Sequence, residues 1–277
     1  MNIYAATAYL RHLLTARSTA GHGVHSPYIY DFLTKVVRNK TDVKIASQVE
    51  SLRREMLSDK RIIMVTDLGA GSVTKAGGER HVAEIARTAA LPAREAGLLA
   101  RMVATEAGSA STGHASTGSA SRGTGIILEL GTSLGISTLA LSLAAPTRRV
   151  ITVEGCPSLA SIARENLRKH GASNAEIMTM EFSAALERLK GDGLTVSFAF
   201  IDGNHKGSAL TEYISKIAAM GEEMIIVADD VRLTKEMFLA WKSLEASGIA
   251  PVTMETLHLG IFFLKHSITP GRYRIRY

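Results

Sequence analysis

The 277-residue chain holds one cysteine, Cys156. That excludes an intramolecular disulfide framework and any zinc site built from several cysteines, and it agrees with a reducing compartment, so the cytoplasm is the expected location. No stretch approaches the roughly 18 to 20 unbroken apolar residues of a membrane-spanning helix. The N-terminus also lacks the compact apolar core and small-residue cleavage site of an export signal. What is present suits a globular protein. Hydrophobic residues make up 46% and charged residues 21%, enough for a substantial core without covalent staples.

The net charge of +6 is unevenly placed, with 15 Lys/Arg against 10 Asp/Glu in residues 1–106 and 17 against 16 in residues 107–277. This surplus permits an acidic or nucleic-acid partner, but a surplus of five spread over a hundred residues is usually just a solvated surface. In residues 107–125, 17 of 19 residues are Gly, Ser, Ala or Thr, and a five-residue unit recurs as SASTG, HASTG and SASRG. Such a composition cannot build a core and is expected to form a flexible linker. His114 within it is incidental.

Before the linker, the apolar spacing predicts helices over Tyr4–Arg17, Pro27 to about Arg38, and Ile45–Leu57, with a strand over Arg61–Thr66 and further helices from about Glu79 and Ala93. Residues 1–106 are thus expected to be a mainly helical cap region. The strand runs into a glycine loop, Asp67-Leu-Gly-Ala-Gly-Ser72, which reads as a decoy for a cofactor loop because no second strand ending in an acid follows; it is either part of a cap over the active site or a structural turn. After the linker, residues 126–277 alternate strand-length apolar runs with helical patterns. Strands are expected at Ile126–Leu130, Arg149–Glu154, Ala175–Met180, Val196–Asp202 and Met224–Asp229, with helices near 136–145, 157–170, 183–190, 207–220 and 234–247. This alternation predicts an α/β, Rossmann-like doubly wound sheet, mostly parallel and covered on both faces. Val252–Thr256 and Ile261–Lys265 add an antiparallel hairpin, for seven strands in all.

Chemistry concentrates at the strand ends. Glu129-Leu-Gly131-Thr132-Ser133-Leu-Gly135-Ile-Ser137 leaves the first strand and enters a helix, where a doubly wound sheet binds the charged end of a nucleotide-like ligand. Glu154, 23 residues beyond Gly131, ends the second strand, where a carboxylate can bind both hydroxyls of a ribose. The absence of a glycine between Gly131 and Gly135 disfavours the pyrophosphate turn of nicotinamide dehydrogenases. Asp202, Asp229 and Asp230 end the fourth and fifth strands. Three carboxylates on one rim need a cation or protons to compensate them, and oxygen ligands of this kind suit Mg²⁺ or a similar divalent ion. His205, three residues after Asp202, is a candidate proton acceptor near neutral pH. Trp241, Phe238 and Met237 read as packing, Cys156 as a small buried residue, and Arg272, Arg274 and Arg276 as surface charges.

The segment Glu129–Ser137, with its acid-x-Gly-x-x-x-Gly-x-Ser pattern, resembles the first motif of the class I S-adenosylmethionine-dependent methyltransferases, and within them the O-methyltransferases. The resemblance covers about 125–277. It implies that Glu129 and the backbone of Gly131, Thr132, Ser133 and Gly135, with Ser137, hold the amino-acid end of S-adenosylmethionine, and that Glu154 holds its ribose. It also places adenine on Glu181 and Phe182. Asp202-Gly-Asn-His205 followed by Asp229-Asp230 is similar to metal-dependent O-methyltransferases. In these, the matching acids Asp202, Asp229 and Asp230 hold the ion that binds the acceptor hydroxyl, and Asp202 also adjoins the cofactor. The sugar-modifying branch uses a histidine placed like His205 as base. The upstream His25-Ser-Pro-Tyr-Ile-Tyr-Asp31, with the loop at 67–72, resembles the N-terminal region of uncharacterised methyltransferases from the Bacteroidetes group. These likenesses imply a small-molecule methyl acceptor and no membrane partner, and leave a homodimer open. The rival readings are a nucleic-acid methyltransferase, although the Asn/Asp-Pro-Pro-Tyr motif of amino-directed enzymes is missing, and a non-catalytic cofactor-binding module.

Overall fold

The computed structural model describes residues 3–17, 19, 24–66, 78–111, 125–266 and 268–277. Its contacts divide the chain into two compact units, Met1–Asn39 with Thr195–Tyr277 and Lys40–Leu194. These units do not coincide with boundaries at 106 and 125. Residues 1–39 group with the C-terminal strands, and residues 40–106 group with the first strands after the linker.

The chain opens with α1 (Ile3–Thr15) and α2 (Pro27–Asp31), which continues as a π-helical stretch over Phe32–Val37. Ser26 caps α2 through the backbone N–H of Ile29, and Pro27 occupies the first turn, where its missing N–H costs nothing.

In the unit Lys40–Leu194, α3 (Val43–Ser58) begins on the Asp42 carboxylate, which accepts from the N–H groups of Lys44 and Ile45. A strand follows as expected, β1 (Ile62–Val65), but it pairs antiparallel with β2 (Gly78–His81), where helix was predicted. The predicted glycine loop at Asp67–Ser72 lies outside the described residues. Next come α4 (Val82–Thr88) and α5 (Ala93–Ser111). The run of Ala, Gly and Ser therefore stays helical through Ser111, and the rest of the expected linker, 112–124, lies outside the described residues. The unit then winds through β3 (Ile126–Leu130), α6 (Ile136–Ala144), β4 (Val150–Glu154), α7 (Pro157–Lys169), β5 (Ala175–Thr179) and α8 (Phe182–Gly191). Strands β3, β4 and β5 pair in parallel, and Glu129 lies directly opposite Thr152. Helix α6 carries no charged residue because α3 and α5 pack against it, burying every side chain from Ile136 to Ser142. Each buried Leu or Ile there contributes about 1.5–3 kcal/mol.

The other unit continues with β6 (Val196–Ile201), α9 (Gly207–Ala218), β7 (Met224–Ala228), α10 (Lys235–Ala246), β8 (Val252–Glu255), β9 (Gly260–Leu264) and β10 (Gly271–Arg274). Strand β6 runs parallel to β7, and β9 pairs antiparallel with both β7 and β8, forming the expected hairpin. Phe32 and Tyr28 meet the ring of Phe263 edge-on, which seats α2 and its π extension on β9. Strand β10 was not anticipated and lies parallel to β8. Counted across both units, the main sheet has eight strands rather than seven, mostly parallel, in a Rossmann-like α/β fold.

The reason for β10 is electrostatic. Glu255, its side chain 2% exposed, accepts from Trp241 Nε1 at 2.9 Å, from Arg232 at 3.1 Å and from Arg274. These cations hold its carboxyl below the usual range despite burial, which acts the other way and is the larger single influence. Arg274 also reaches Thr15 Oγ1, and Arg276 reaches the carbonyl of Ala16. Arg272 bonds the carbonyl of Glu245. The three arginines therefore tie the C-terminal segment into its unit, with Arg272 and Arg276 remaining exposed as expected and Arg274 part-buried. His12 is buried beside them, with Nε2 3.0 Å from the carbonyl of Ile275.

Candidate active site

In the unit Lys40–Leu194, the first glycine loop forms where β3 hands over to α6. Gly131 (φ 108°), Ser133 (φ 48°) and Gly135 (φ 82°) all take left-handed backbone conformations. Such a turn suits glycine, and at Ser133 it is a locally strained position held by its neighbours. Gly135 is the N-cap of α6, and a Cβ there would sit 3.5 Å from Ala163 and Leu167 of α7. The loop is anchored from below by the N–H groups of Gly131 and Thr132, which donate to Val153 O at 2.9 and 3.3 Å.

Glu129 is fully buried, in the middle of an apolar strand. Its Oε2 accepts from Thr152 Oγ1 at 2.6 Å and from Thr138 Oγ1, and Thr132 Oγ1 meets Thr152 Oγ1 at 2.6 Å. Its Oε1 has no well-formed hydrogen bond among the described residues. Burial pushes the carboxyl up to about 7, opposed by the hydroxyls of Thr138, Thr152 and Ser137 and reinforced by the nearby charge of Glu154.

Glu154, at the end of β4, is also buried. Its two oxygens accept from the N–H groups of Ser133 and Cys156, each at 2.8 Å, so this carboxylate pins the glycine loop to the end of the strand. Burial raises its pKa, against those backbone bonds. The N–H of Gly155 contributes to the same stabilisation, and a carboxylate's roughly four lone-pair sites leave acceptor capacity beside these bonds. Cys156 is buried as expected, with Thr66 N donating to its Sγ at 3.4 Å. Glu181 is exposed and caps α8 by accepting from Ala184 N at 2.9 Å, with Phe182 half-buried as the first helical residue.

In the other unit, Asp202 and Asp229 follow β6 and β7, whose ends are in register at Ile201 and Ala228. Asp229 N donates to Ile201 O at 2.9 Å. His205 Nε2 stands 4.0 Å from Asp202 Oδ1, close enough for charge to matter but beyond a hydrogen bond. Asp230 takes a left-handed conformation (φ 53°) and donates its N–H to Asp229 Oδ1. Its own Oδ1 lies 3.9 Å from His258 Nδ1.

The expected metal centre does not assemble. Among the described residues, no group of three or more His, Cys, Asp or Glu side chains is gathered to hold an ion. Asp229 Oδ1 is instead engaged by the next residue's backbone, and Asp230 faces His258. These three acids do not fit a ready-made divalent-cation site.

The hydroxyls of Thr132, Thr138 and Thr152 went unnoticed in the sequence, although a threonine at the centre of the apolar run Val-Ile-Thr-Val was a signal. His258 gave no local signal. It comes near Asp230 because the β8–β9 turn is tied to the end of β7, with Val231 N donating to His258 O at 3.0 Å. The described residues also line a shallow cavity of about 370 Å³ at Pro146–Arg149 and Ser173–Glu176. It opens at the amino ends of β4 and β5, away from the glycine loop.

Residues 128–231 match a family model described as a methyltransferase domain. No curated protein matches the chain in sequence. Among solved structures, the chain is similar to the O-methyltransferase TomG from Streptomyces achromogenes, which is involved in tomaymycin synthesis and was solved in complex with S-adenosylmethionine. That likeness has 17% identity, a TM-score of 0.53, and coverage of 86% of this chain and 96% of that one. An O-methyltransferase from Bacillus cereus, in complex with S-adenosylhomocysteine, aligns at 15% identity and TM-score 0.52 over 86% of this chain and 97% of its own. Cofactor-bound Rv0187 from MTB aligns at 17% identity and TM-score 0.52 over 87% and 98%. At these identities the likeness establishes the fold.

Proposed function

We propose that this chain, whose residues 128–231 match a family model described as a methyltransferase domain, transfers the methyl group of S-adenosylmethionine to a hydroxyl oxygen of a small molecule. The observation that carries the reading is Glu129, a buried carboxylate with one oxygen left unsatisfied beside a glycine turn. A buried acceptor without a partner is costly unless a ligand completes it. The ammonium of the cofactor's amino-acid end fits that vacancy in the bonding scheme, and the left-handed turns at Gly131 and Gly135 keep side chains off the path of approach.

In this reading Glu129 accepts from the ammonium, and the backbone of 131–135 with Ser137 cradles the adjoining atoms. Glu154 keeps the loop closed through Ser133 and Cys156 and offers its remaining lone pairs to the ribose hydroxyls. Glu181 and Phe182 are assigned to adenine. When bound, S-adenosylmethionine supplies an electrophilic methyl group on a sulfonium, which an oxygen nucleophile must approach in line. His205 takes the acceptor's proton as the new C–O bond forms, and Asp202 stabilises the resulting imidazolium. No step is routed through a metal ion, because Asp202, Asp229 and Asp230 are not gathered as ligands.

Calorimetric titration with S-adenosylhomocysteine tests the cofactor assignment, and absence of binding at millimolar ligand removes it. Transfer from methyl-labelled cofactor to a panel of hydroxylated small molecules tests the reaction. The label should survive EDTA and fall sharply in His205→Gln. Loss of transfer in EDTA with recovery in Mg²⁺ would show that the acids do gather around an ion.

A further inference from the structure

We propose that Glu129 holds a proton in the empty site and that docking of the cofactor's ammonium group expels it, so that cofactor affinity is coupled to pH. The inference rests on the assignment of Glu129 to the amino-acid end. The geometry that carries it is the surroundings of one side chain. Glu129 is fully enclosed, Oε2 is taken by two hydroxyls, and Oε1 has no well-formed bond. Within its unit, the described elements that carry its hydrogen-bond partners bring no cation. Strand β3 and the turn 131–135 contain no other ionisable residue, helix α6 brings only the hydroxyls of Ser137 and Thr138, and β4 brings a second carboxylate, Glu154. A lone anion in such an interior, next to a like charge, is unfavourable, and burial accordingly carries the carboxyl up to about 7.

A cation docked on Oε1 reverses that balance, because the pair is then neutral and the orphaned oxygen is satisfied. The change is an exchange. Glu129 loses its proton to solvent, the ammonium keeps its own three, and the charge-assisted bond replaces the O–H. With a titration centred at about 7, roughly 0.9 of a proton leaves per ligand bound at pH 6 and about 0.5 at pH 7. Affinity then rises roughly twenty-fold between pH 5.5 and 7.5. The coupling also confers selectivity, since a nucleoside lacking the ammonium has nothing to exchange for the proton.

The test is calorimetric titration of the full chain with S-adenosylhomocysteine at pH 5.5, 6.5 and 7.5, in paired buffers of different ionisation enthalpy. The same titrations are run with 5′-methylthioadenosine, which lacks the amino-acid end. The expected result is proton release and a rising affinity for the first ligand, and neither for the second. Glu129→Gln should bind S-adenosylhomocysteine more weakly, with no proton release and a flat pH profile. Should that variant fail to fold, the two ligands on the wild-type protein decide alone. Pairing without proton release, or equal release by both ligands, overturns the inference while leaving the cofactor assignment standing. No S-adenosylhomocysteine binding at any pH removes that assignment and the inference with it.

Discussion

Replacing Glu129 by glutamine separates the cost of burying this acid from its use. The folded carboxyl titrates at about 7 instead of 4.5, so the folded state holds its proton more tightly than the unfolded state does. The sign follows from linkage. The penalty is absent below about pH 4.5, grows as pH rises from there, and is complete above about pH 7. Its full size is about 3 kcal/mol and its size at pH 5 about 1 kcal/mol, at about 1.4 kcal/mol for each unit of displacement. Glutamine cannot ionise, and whatever its amide costs among Thr138 and Thr152 does not vary with pH. The stability of Glu129→Gln relative to wild type should therefore improve by about 2–3 kcal/mol between pH 5 and pH 8. Urea denaturation of both proteins at pH 5, 6, 7 and 8 measures this, and Glu154 remains as a common background. A difference that stays constant within about 0.5 kcal/mol across that range would refute the claim that Glu129 is buried without a compensating cation.

Three further outcomes follow from the same unit-by-unit description. Glu255→Ala strands Arg232, Arg274 and Trp241 Nε1 around a vacated position and should cost about 3–5 kcal/mol, whereas Lys242→Ala, whose ammonium is part-exposed at 3.6 Å, should cost under about 1 kcal/mol; chemical denaturation distinguishes the two. Gly135→Ala meets only ordinary contacts at Ala163 and Leu167, so its cost is the left-handed φ, about 1–2 kcal/mol, and S-adenosylhomocysteine affinity should fall with it. His12 is held neutral, its pKa lowered by burial and then by Arg232, and Nε2 must carry the hydrogen donated to Ile275 O. Its contribution is therefore complete above pH 6.5 and lost as pH falls towards the lowered value. Protection factors of the α1 amides, which take out the intrinsic fall of exchange rate with pH, should decrease between pH 7 and pH 5 in the wild type but not in His12→Gln.

The parts of this fold that could be read in the sequence are those whose cause is local. Strands β3, β4, β6 and β7 are buried along nearly their whole length, so each is a short apolar run bounded by turns, and their positions fall within a residue or two of expectation. Helices α3, α7 and α10 carry one buried stripe each, and their limits are set by Asp42, Pro157 and Thr234. Strand β10 has no such signature. Gly-Arg-Tyr-Arg reads as a polar tail, and its place depends on a carboxylate 19 residues upstream and on Thr15 at the far end of the chain. Strand β2 failed for the same reason, because Gly-Glu-Arg-His acquires its conformation from pairing with β1.

The candidate site divides along the same line. Glu129, the glycine turn and Glu154 belong to consecutive elements, so their spacing alone placed a carboxylate on each side of the loop. What spacing could not show is that Glu154 spends one oxygen on the loop's Ser133 N–H and the other on the N–H of Cys156 just beyond its own strand, or that Thr152 stands opposite Glu129 through the register of β3 and β4. The acids at 202, 229 and 230 stand differently. Counting carboxylates at strand ends suggested a metal, but ligation depends on where oxygens converge, and Asp230 Oδ1 lies 3.9 Å from His258 Nδ1. Asp230→Gly, which preserves the turn while deleting the carboxylate, should leave the fold stable within about 0.5 kcal/mol and methyl transfer insensitive to added Mg²⁺; a new dependence on the ion would return Asp230 to the ligand set.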